Sequence, residues 1–212
     1  SFADFRPHPM VKMGDFPDLE EVAENGEIKF GTFGDQKETV AVKSYAIGAR
    51  LSRQTLINDT LGGIATVLAD RGRAVARFED KTFFAAAFGG ANNDGPTLLE
   101  TSRQVFNTTD GTKAASGAAI SVTTVNAGRA AMRKRTSIDG NLLDIMPAVM
   151  LVGPDSELTA QQLLAPIQAQ QTSTVNPFSG QMELVVSARI SGNAWYLFAD
   201  PADAPVFVYG FL

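Results

Sequence analysis

The chain has 212 residues, 44% of them hydrophobic, with a formal net charge of −5 and no cysteine. That length suits one large domain or two small ones with a real core; the acidic balance argues against whole-chain attraction to nucleic acid or anionic membranes, and the missing cysteines exclude disulfides and thiolate metal sites and fit a cytoplasmic folding environment. No apolar run approaches the roughly 20 residues of a membrane-spanning helix, no signal peptide is visible, and the first residue is Ser rather than Met, as expected of a processed or trimmed chain.

Residues 1–26 have little periodicity. Pro7, Pro9 and Pro17 argue against a helix interior, while Phe2, Phe5, Met10, Val11, Met13 and Phe16 make the segment too apolar for a free tail. An extended arm lying across another surface fits, and so does a long irregular loop on the chain's own core. Residues 27–50 alternate: Ile28 and Phe30 oppose Glu27 and Lys29, and Val40, Val42 and Ser44 oppose Thr39, Ala41 and Lys43. The pattern predicts two strands joined by a polar turn at Gly34, Asp35, Gln36 and Lys37. A lone hairpin is marginal in water, so it must lie on the rest of this chain or on a neighbouring copy.

The chain is organised around residues 51–88. From about Leu61 the spacing predicts a single helix, which at 1.5 Å per residue would span roughly 40 Å. Stepping 100° per residue puts Leu61, Ile64, Ala65, Leu68, Gly72, Val75, Ala76, Phe83 and Ala86 on one face, with Asp70, Arg73, Arg77, Asp80 and Lys81 opposite. Glu79 falls on the apolar face, which predicts a polar partner or a local bend. Gly72 would let another backbone approach, at a cost of about 1 kcal/mol against Ala. Asn58, Asp59 and Thr60 are candidate N-caps, and Gly89 with Gly90 is the expected stop.

Residues 89–120 read as loop, with short apolar pieces at Leu98 with Leu99 and Val105 with Phe106, and a turn at Asp110 and Gly111. Ser121 is predicted to cap a helix running to about Thr136, with a stripe at Val122, Val125, Ala130 and Met132. Ile138 to Asn141 should turn the chain. Residues 148–152 read as a buried strand, Ser156 as the cap of a second helix over 157–167, and 182–190, 194–199 and 206–211 as three further strands. The second half is therefore expected to be a mixed sheet with two helices packed on it. A change of character near 105–120 separates an elongated part from this compact one.

Little here suggests chemistry. The only histidine, His8, lies between prolines without a cysteine partner and reads as a surface residue rather than a base or ligand. Asp59 reads as part of a cap rather than a catalytic carboxylate. Arg129, Arg133, Lys134 and Arg135 form a basic cluster near a helix C-terminus, where cations are favourable; a solvated face is the leading reading, an acidic partner second and phosphate third. The run Trp195, Tyr196, Leu197, Phe198 reads as a core strand rather than a stacking platform. No nucleophile elbow, phosphate-binding loop or zinc-protease motif is present. The expectation is no catalytic residue, no cofactor-binding residue, no metal ligand and no cofactor.

Four stretches carry a family resemblance: ENGEIKFGTFGDQKETVAVKSYAIGARLSRQTLINDTLGG (24–63), DIMPAVMLVGPDSELTAQQLLA (144–165), VNPFSGQMELVVSARISGNAWYLFADP (175–201) and APVFVYGF (204–211). They resemble tailed-phage major capsid proteins, most nearly the Mu-like major head subunit group. The resemblance implies an α+β fold of the HK-ninety-seven type. It would have an N-terminal arm (1–26), an extended E-loop hairpin (27–46), a P-domain (47–114) with its spine helix (61–88), and a compact mixed α/β A-domain (mostly 115–212). The implied function is structural: hexamers and pentamers of an icosahedral shell around double-stranded DNA, with no specific DNA site. The implied partners are copies of itself, a portal, and decoration or scaffold proteins, with no membrane. The implied location is the virion capsid, assembled in the bacterial host cytoplasm. Family members usually begin earlier and continue past Leu212. Some relatives join a Lys to an Asn of a neighbour; Lys29, Lys37 and Lys43 could be imagined in that role, but nothing in the sequence favours it. The alternatives are a gene-transfer-agent or encapsulin-like shell, told apart by nucleic-acid content, and an unrelated α/β enzyme, which would need a titratable cluster in a pocket.

Overall fold

The computed structural model describes residues 4–13, 35–48, 50–58, 62–90, 92–165, 178 and 180–211. In chain order the elements are strands β1 (His8–Met13) and β2 (Asp35–Val40), a short helix α1 (Arg53–Ile57), a long helix α2 (Gly63–Ala87), helix α3 (Val122–Arg133), strand β3 (Pro147–Val152), helix α4 (Glu157–Leu164) and strands β4 (Glu183–Val186) and β5 (Trp195–Ala199). A single 3-10 turn, Pro154–Ser156, leads into α4.

The run Pro147–Val152 is apolar throughout, as suits a strand covered on both faces. It is the middle strand of a sheet ordered β4-β3-β5, parallel to β4 and antiparallel to β5. Proline is tolerated at its first position. Alternation then sorts the side chains. Met150 and Val152, facing Leu197 and Trp195 across the ladder, join Val125 of α3 and Ala160, Leu163 and Leu164 of α4 on one face. Leu151, facing Tyr196, joins Phe88, Ile190 and Phe198 on the other.

Local signals explain how the first face is closed. Ser121 and Thr124 make a reciprocal capping box at the start of α3, so two otherwise orphan N–H groups are satisfied. At Gly128 an added Cβ would lie 2.9 Å from Leu197 Cδ1, so the missing side chain lets α3 settle onto β5. Helix α4 stops at Leu164. Ala165 is extended, with ψ 138°, as the residue before Pro166 must be. Ser156 was expected to cap α4, but its side chain makes no capping bond; the preceding 3-10 turn already delivers the chain in helical register.

The second face is covered by the C-terminal end of α2. Ala87 and Phe88 are buried, whereas residues 69–81 are exposed along the helix. The buried face is therefore Phe83, Phe84, Ala87 and Phe88; Ala86 and Val75, expected on the core side, are exposed. A uniform stripe presumes a partner along the whole helix, and among the described residues α2 has one mainly at its end. For the same reason Gly72 has open space around it rather than a close backbone, and Glu79 is exposed. The expected stop holds: the chain leaves α2 at Phe88, and Gly90 takes φ 102°. Gly95 at φ 75° then folds back so closely that a Cβ there would meet the Ala87 carbonyl oxygen at 2.8 Å.

Several boundaries differ from the sequence pattern. Helix α2 starts on Gly62 without a side-chain cap. Asn58 instead ends α1, a helix the pattern did not predict, and Ser52 caps that helix by accepting from Thr55 N–H at 3.1 Å. Asp59, Thr60 and Leu61 lie outside the described residues. The turn expected at 34–37 is not one. Asp35, Gln36 and Lys37 begin β2, which pairs antiparallel with β1 from the proline-rich leading segment, Met13 opposite Asp35. The predicted strand around Ile28 and Phe30 lies outside the described residues. Residues 206–211 run as coil rather than strand, held by the rings of Phe207 and Tyr209.

Replacing Phe88 by Ala should cost about 3–5 kcal/mol. A fall in thermal midpoint with faster proteolysis at the end of α2 is the expected readout. An unchanged midpoint would show that α2 is not anchored there.

Candidate interaction surface

The residues with possible chemistry are dispersed. His8 sits in β1, its Nε2 2.9 Å from Asp4 Oδ1, a local surface pair. Lys29 lies outside the described residues and Lys43 is in exposed coil. Lys37 uses its backbone N–H, which donates to Glu100 Oε2 at 2.8 Å. Trp195 and Leu197 face the helices, Tyr196 and Phe198 face α2, and Trp195 Nε1 donates to the Ala118 carbonyl at 2.8 Å. Among the described residues no group of three or more His, Cys, Asp or Glu is placed to hold a metal ion, and no helix is long and apolar enough to cross a membrane.

The basic cluster is tied to the chain's own body rather than forming an open face. Arg133 donates through Nε to Asp144 Oδ1 at 2.6 Å and through an Nη to Oδ2 at 3.0 Å. Arg129 donates to Gln181 Oε1 at 3.3 Å and lies 5.9 Å from the Phe178 ring centroid. Arg135 reaches the Asp110 carbonyl at 3.4 Å. Lys134 is exposed. The Arg133 hydrogen bond, with its charge adding, holds the Asp144 carboxyl below the usual aspartate value and raises the guanidinium in turn. Nothing in the spacing of Arg133 and Asp144 signals this fork; it exists because the turn after α3 brings Asp144 back beside the helix.

Other polar ties join segments distant in sequence. Asp94, buried at the end of α2, pairs with Lys113. Tyr196 donates to the Asn93 carbonyl at 3.4 Å, and burial, followed by the nearby Asp94 charge, pushes its hydroxyl pKa up. Arg189 bridges to Asp80 Oδ2 at 2.9 Å and to the Arg77 carbonyl at 3.3 Å, strapping the β4–β5 connection to α2. Glu38 of β2 accepts from Leu99 N–H at 3.0 Å, and Glu100 accepts from the Lys37 N–H in return. The two-stranded ribbon is thus fastened to the 97–104 loop by two carboxylates.

The apolar surface is more unusual. On the connection from the ribbon to α2, Tyr45, Ile47, Leu51 and Ile57 are exposed, Ile47 at 83%; on α2 itself Val75 and Phe78 are exposed too. Tyr45 and Phe78 touch, centroids 4.9 Å apart, yet both remain largely open. At the other end Val208, Tyr209 and Phe211 are exposed. Large apolar groups gathered on a few elements mark a surface that binds something. The described clefts are shallow, about 220 Å³ beside the end of α2 and about 200 Å³ beside Phe178. An extended surface, not a pocket, is the candidate site.

A family model described as phage capsid protein matches residues 36–212. Among solved structures the chain is similar to the capsid of bacteriophage JBD30 decorated with minor capsid protein trimers, with a TM-score of 0.64 at 17% identity over 87% of this chain and 86% of that one. At that identity the likeness concerns the fold. No sequence match to this chain was found among curated proteins.

Two outcomes check the ties. Because the folded-state value of Asp144 is depressed, the stability it contributes is present above the unfolded value and lost as pH falls through the folded one. Arg133→Met should melt below the wild type at about pH 7, with the gap closing towards about pH 3; a gap independent of pH would refute the pairing. Lys113→Met leaves Asp94 buried and unpaired and should cost about 1–3 kcal/mol in chemical denaturation.

Proposed function

Because the chain belongs to the phage capsid protein family, we propose that this structural capsid protein is the major head subunit of a tailed bacteriophage or prophage, of the Mu-like group. In this reading it has the HK-ninety-seven-type architecture. Residues 1–26 are the arm and 27–46 the E-loop, β1 and β2 joining the two in one ribbon. Residues 47–114 are the P-domain with α2 as its spine, and 115–212 are mostly the A-domain. Copies associate as hexamers and pentamers of a closed icosahedral shell that encloses double-stranded DNA.

One observation carries the reading: burial is uneven. The β3-centred body is packed on both faces, while among the described residues the ribbon, the connection to α2 and residues 69–81 of α2 have no second side. Sister copies supply such a side in a lattice, where each subunit repeats the same contact. The JBD30 capsid is decorated with minor capsid protein trimers, which supports a decoration partner here as well; a portal and a scaffold follow from the same reading. The acidic net charge suits a shell that encloses DNA without gripping it.

Electron microscopy of the purified protein should show closed shells or capsomers. A well-folded monomer that persists at high concentration would overturn the assignment. Isolated subunits should not bind duplex DNA with a steep salt dependence; such binding would refute the absence of a DNA site.

A further inference from the structure

An aspartate is followed by glycine at three places in the chain: Asp94 with Gly95, Asp110 with Gly111, and Asp139 with Gly140. Locally the three are alike. A glycine has no side chain to shield its backbone nitrogen, which lies within reach of the preceding carboxyl and can close a five-membered imide ring on it. The fold makes them different.

Asp94 is buried and paired with Lys113, and Gly95 packs so that a Cβ would meet the Ala87 carbonyl oxygen at 2.8 Å. The Asp110 carboxylate is clamped. Arg103 reaches Oδ1 at 2.8 Å and Oδ2 at 3.0 Å, and Asn107 Nδ2 donates to Oδ2 at 2.8 Å. Asp139 has neither kind of restraint. It is exposed at the tip of a small hairpin, where Thr136 bridges to Leu142 and the Ser137 N–H donates to the Asn141 carbonyl at 2.8 Å. Among the described residues no hydrogen bond or ion pair engages its carboxylate. Gly140 takes φ 91°, and a Cβ there would meet nothing within 4 Å. The Gly140 N–H donates to the Ser137 carbonyl at 3.1 Å, a tip bond of the kind that opens at low cost.

We infer that Asp139 is a modification site, converting to isoaspartate in the folded chain while Asp94 and Asp110 are spared. The Gly140 nitrogen bonds to Asp139 Cγ, and the carboxyl hydroxyl leaves as water with the amide hydrogen. Water then adds to one of the two imide carbonyls. Opening at the side-chain carbonyl restores aspartate. Opening at the main-chain carbonyl routes the chain through the former side chain and frees the main-chain carboxyl. One water leaves and one returns, so the mass is unchanged and no co-reactant is needed. The product lengthens the main chain by one methylene inside the turn that Ser137 and Asn141 close, so their pairing loses its register. The site stands on the geometry of this chain and does not rest on the shell reading.

Full-length protein held near neutral pH at physiological temperature tests it, read by isoaspartyl methyltransferase labelling with electron-transfer fragmentation of digests to place each isoaspartate. Asp139 should accumulate isoaspartate at least about tenfold faster than Asp94 or Asp110, because those two must first be freed by local opening. In urea at the same pH and temperature the three should react within about twofold of one another, because unfolding removes the protection. Asp139→Glu, whose longer side chain closes the ring far more slowly, should leave the tip peptide unlabelled. Asn25, which precedes Gly26 and lies outside the described residues, changes mass when it deamidates, so its signal separates from those of the aspartates. Equal rates at the three sites in the folded chain would overturn the inference. So would a lead for Asp139 that persists unchanged in urea, a labelled tip in Asp139→Glu, or no isoaspartate at Asp139 over a time in which the unfolded chain forms it.

Discussion

Phe88 stands where the two halves of the molecule meet. Its ring lies 4.8 Å from that of Tyr196, 6.0 Å from Phe106, 5.7 Å from Phe207 and 5.5 Å from Phe84. Aromatic pairs of this kind add roughly 0.5–1.5 kcal/mol each beyond the area they bury. The constraint behind the cluster is the sheet. A central strand that is apolar on every residue needs a cover on both faces, and α3 and α4 supply only one. The last turns of α2, the Phe106 loop and the closing coil at Phe207 supply the other. A helix of 25 residues is in this way held to the body mainly through its final turns.

The polar ties follow from that arrangement. Asp94 is buried because the turn after α2 folds against the helix end, and Lys113 comes in from the long loop to meet it. Arg189 straps Asp80 from the far side of the cluster. Glu38 and Glu100 accept from backbone N–H groups across the gap, so that the ribbon is fastened to the 97–104 loop. Each tie joins segments far apart in the chain and only a few ångströms apart in space. Together they set the direction in which α2 and the ribbon leave the body. The apolar groups Tyr45, Ile47, Leu51, Ile57, Val75 and Phe78 stay open on those elements.

Much of this was legible in the residues. The periodicity of the long helix, the Ser121 cap, the buried strand ahead of Gly153 and Pro154, and the inward-facing Trp195 to Phe198 run are local signals, and the structure follows them. The failures share a cause. The Gly34 to Lys37 turn was inferred from composition, but β2 found its partner in β1, twenty-odd residues earlier, in a segment whose prolines had argued against regular structure. Proline excludes helix but not an edge strand. Ile28 and Phe30, the other half of the expected hairpin, lie outside the described residues. The basic cluster looked like a solvated face because its partners Asp144, Gln181 and the Asp110 carbonyl are reached only through the fold.

The sequence alone determined the long helix, the Ser121-capped helix, the apolar strand ahead of Gly153 and the absence of cysteine chemistry, because these depend on neighbours within a few residues. It also carried the family pattern, through the RQTLIND segment and the AWYLFADP run. Only the tertiary structure decided which face of α2 is buried, which strand pairs with β2, and which charges are spent inside the chain. Periodicity reports that a face is apolar, whereas the partner that covers it is set by long-range packing that no local window contains.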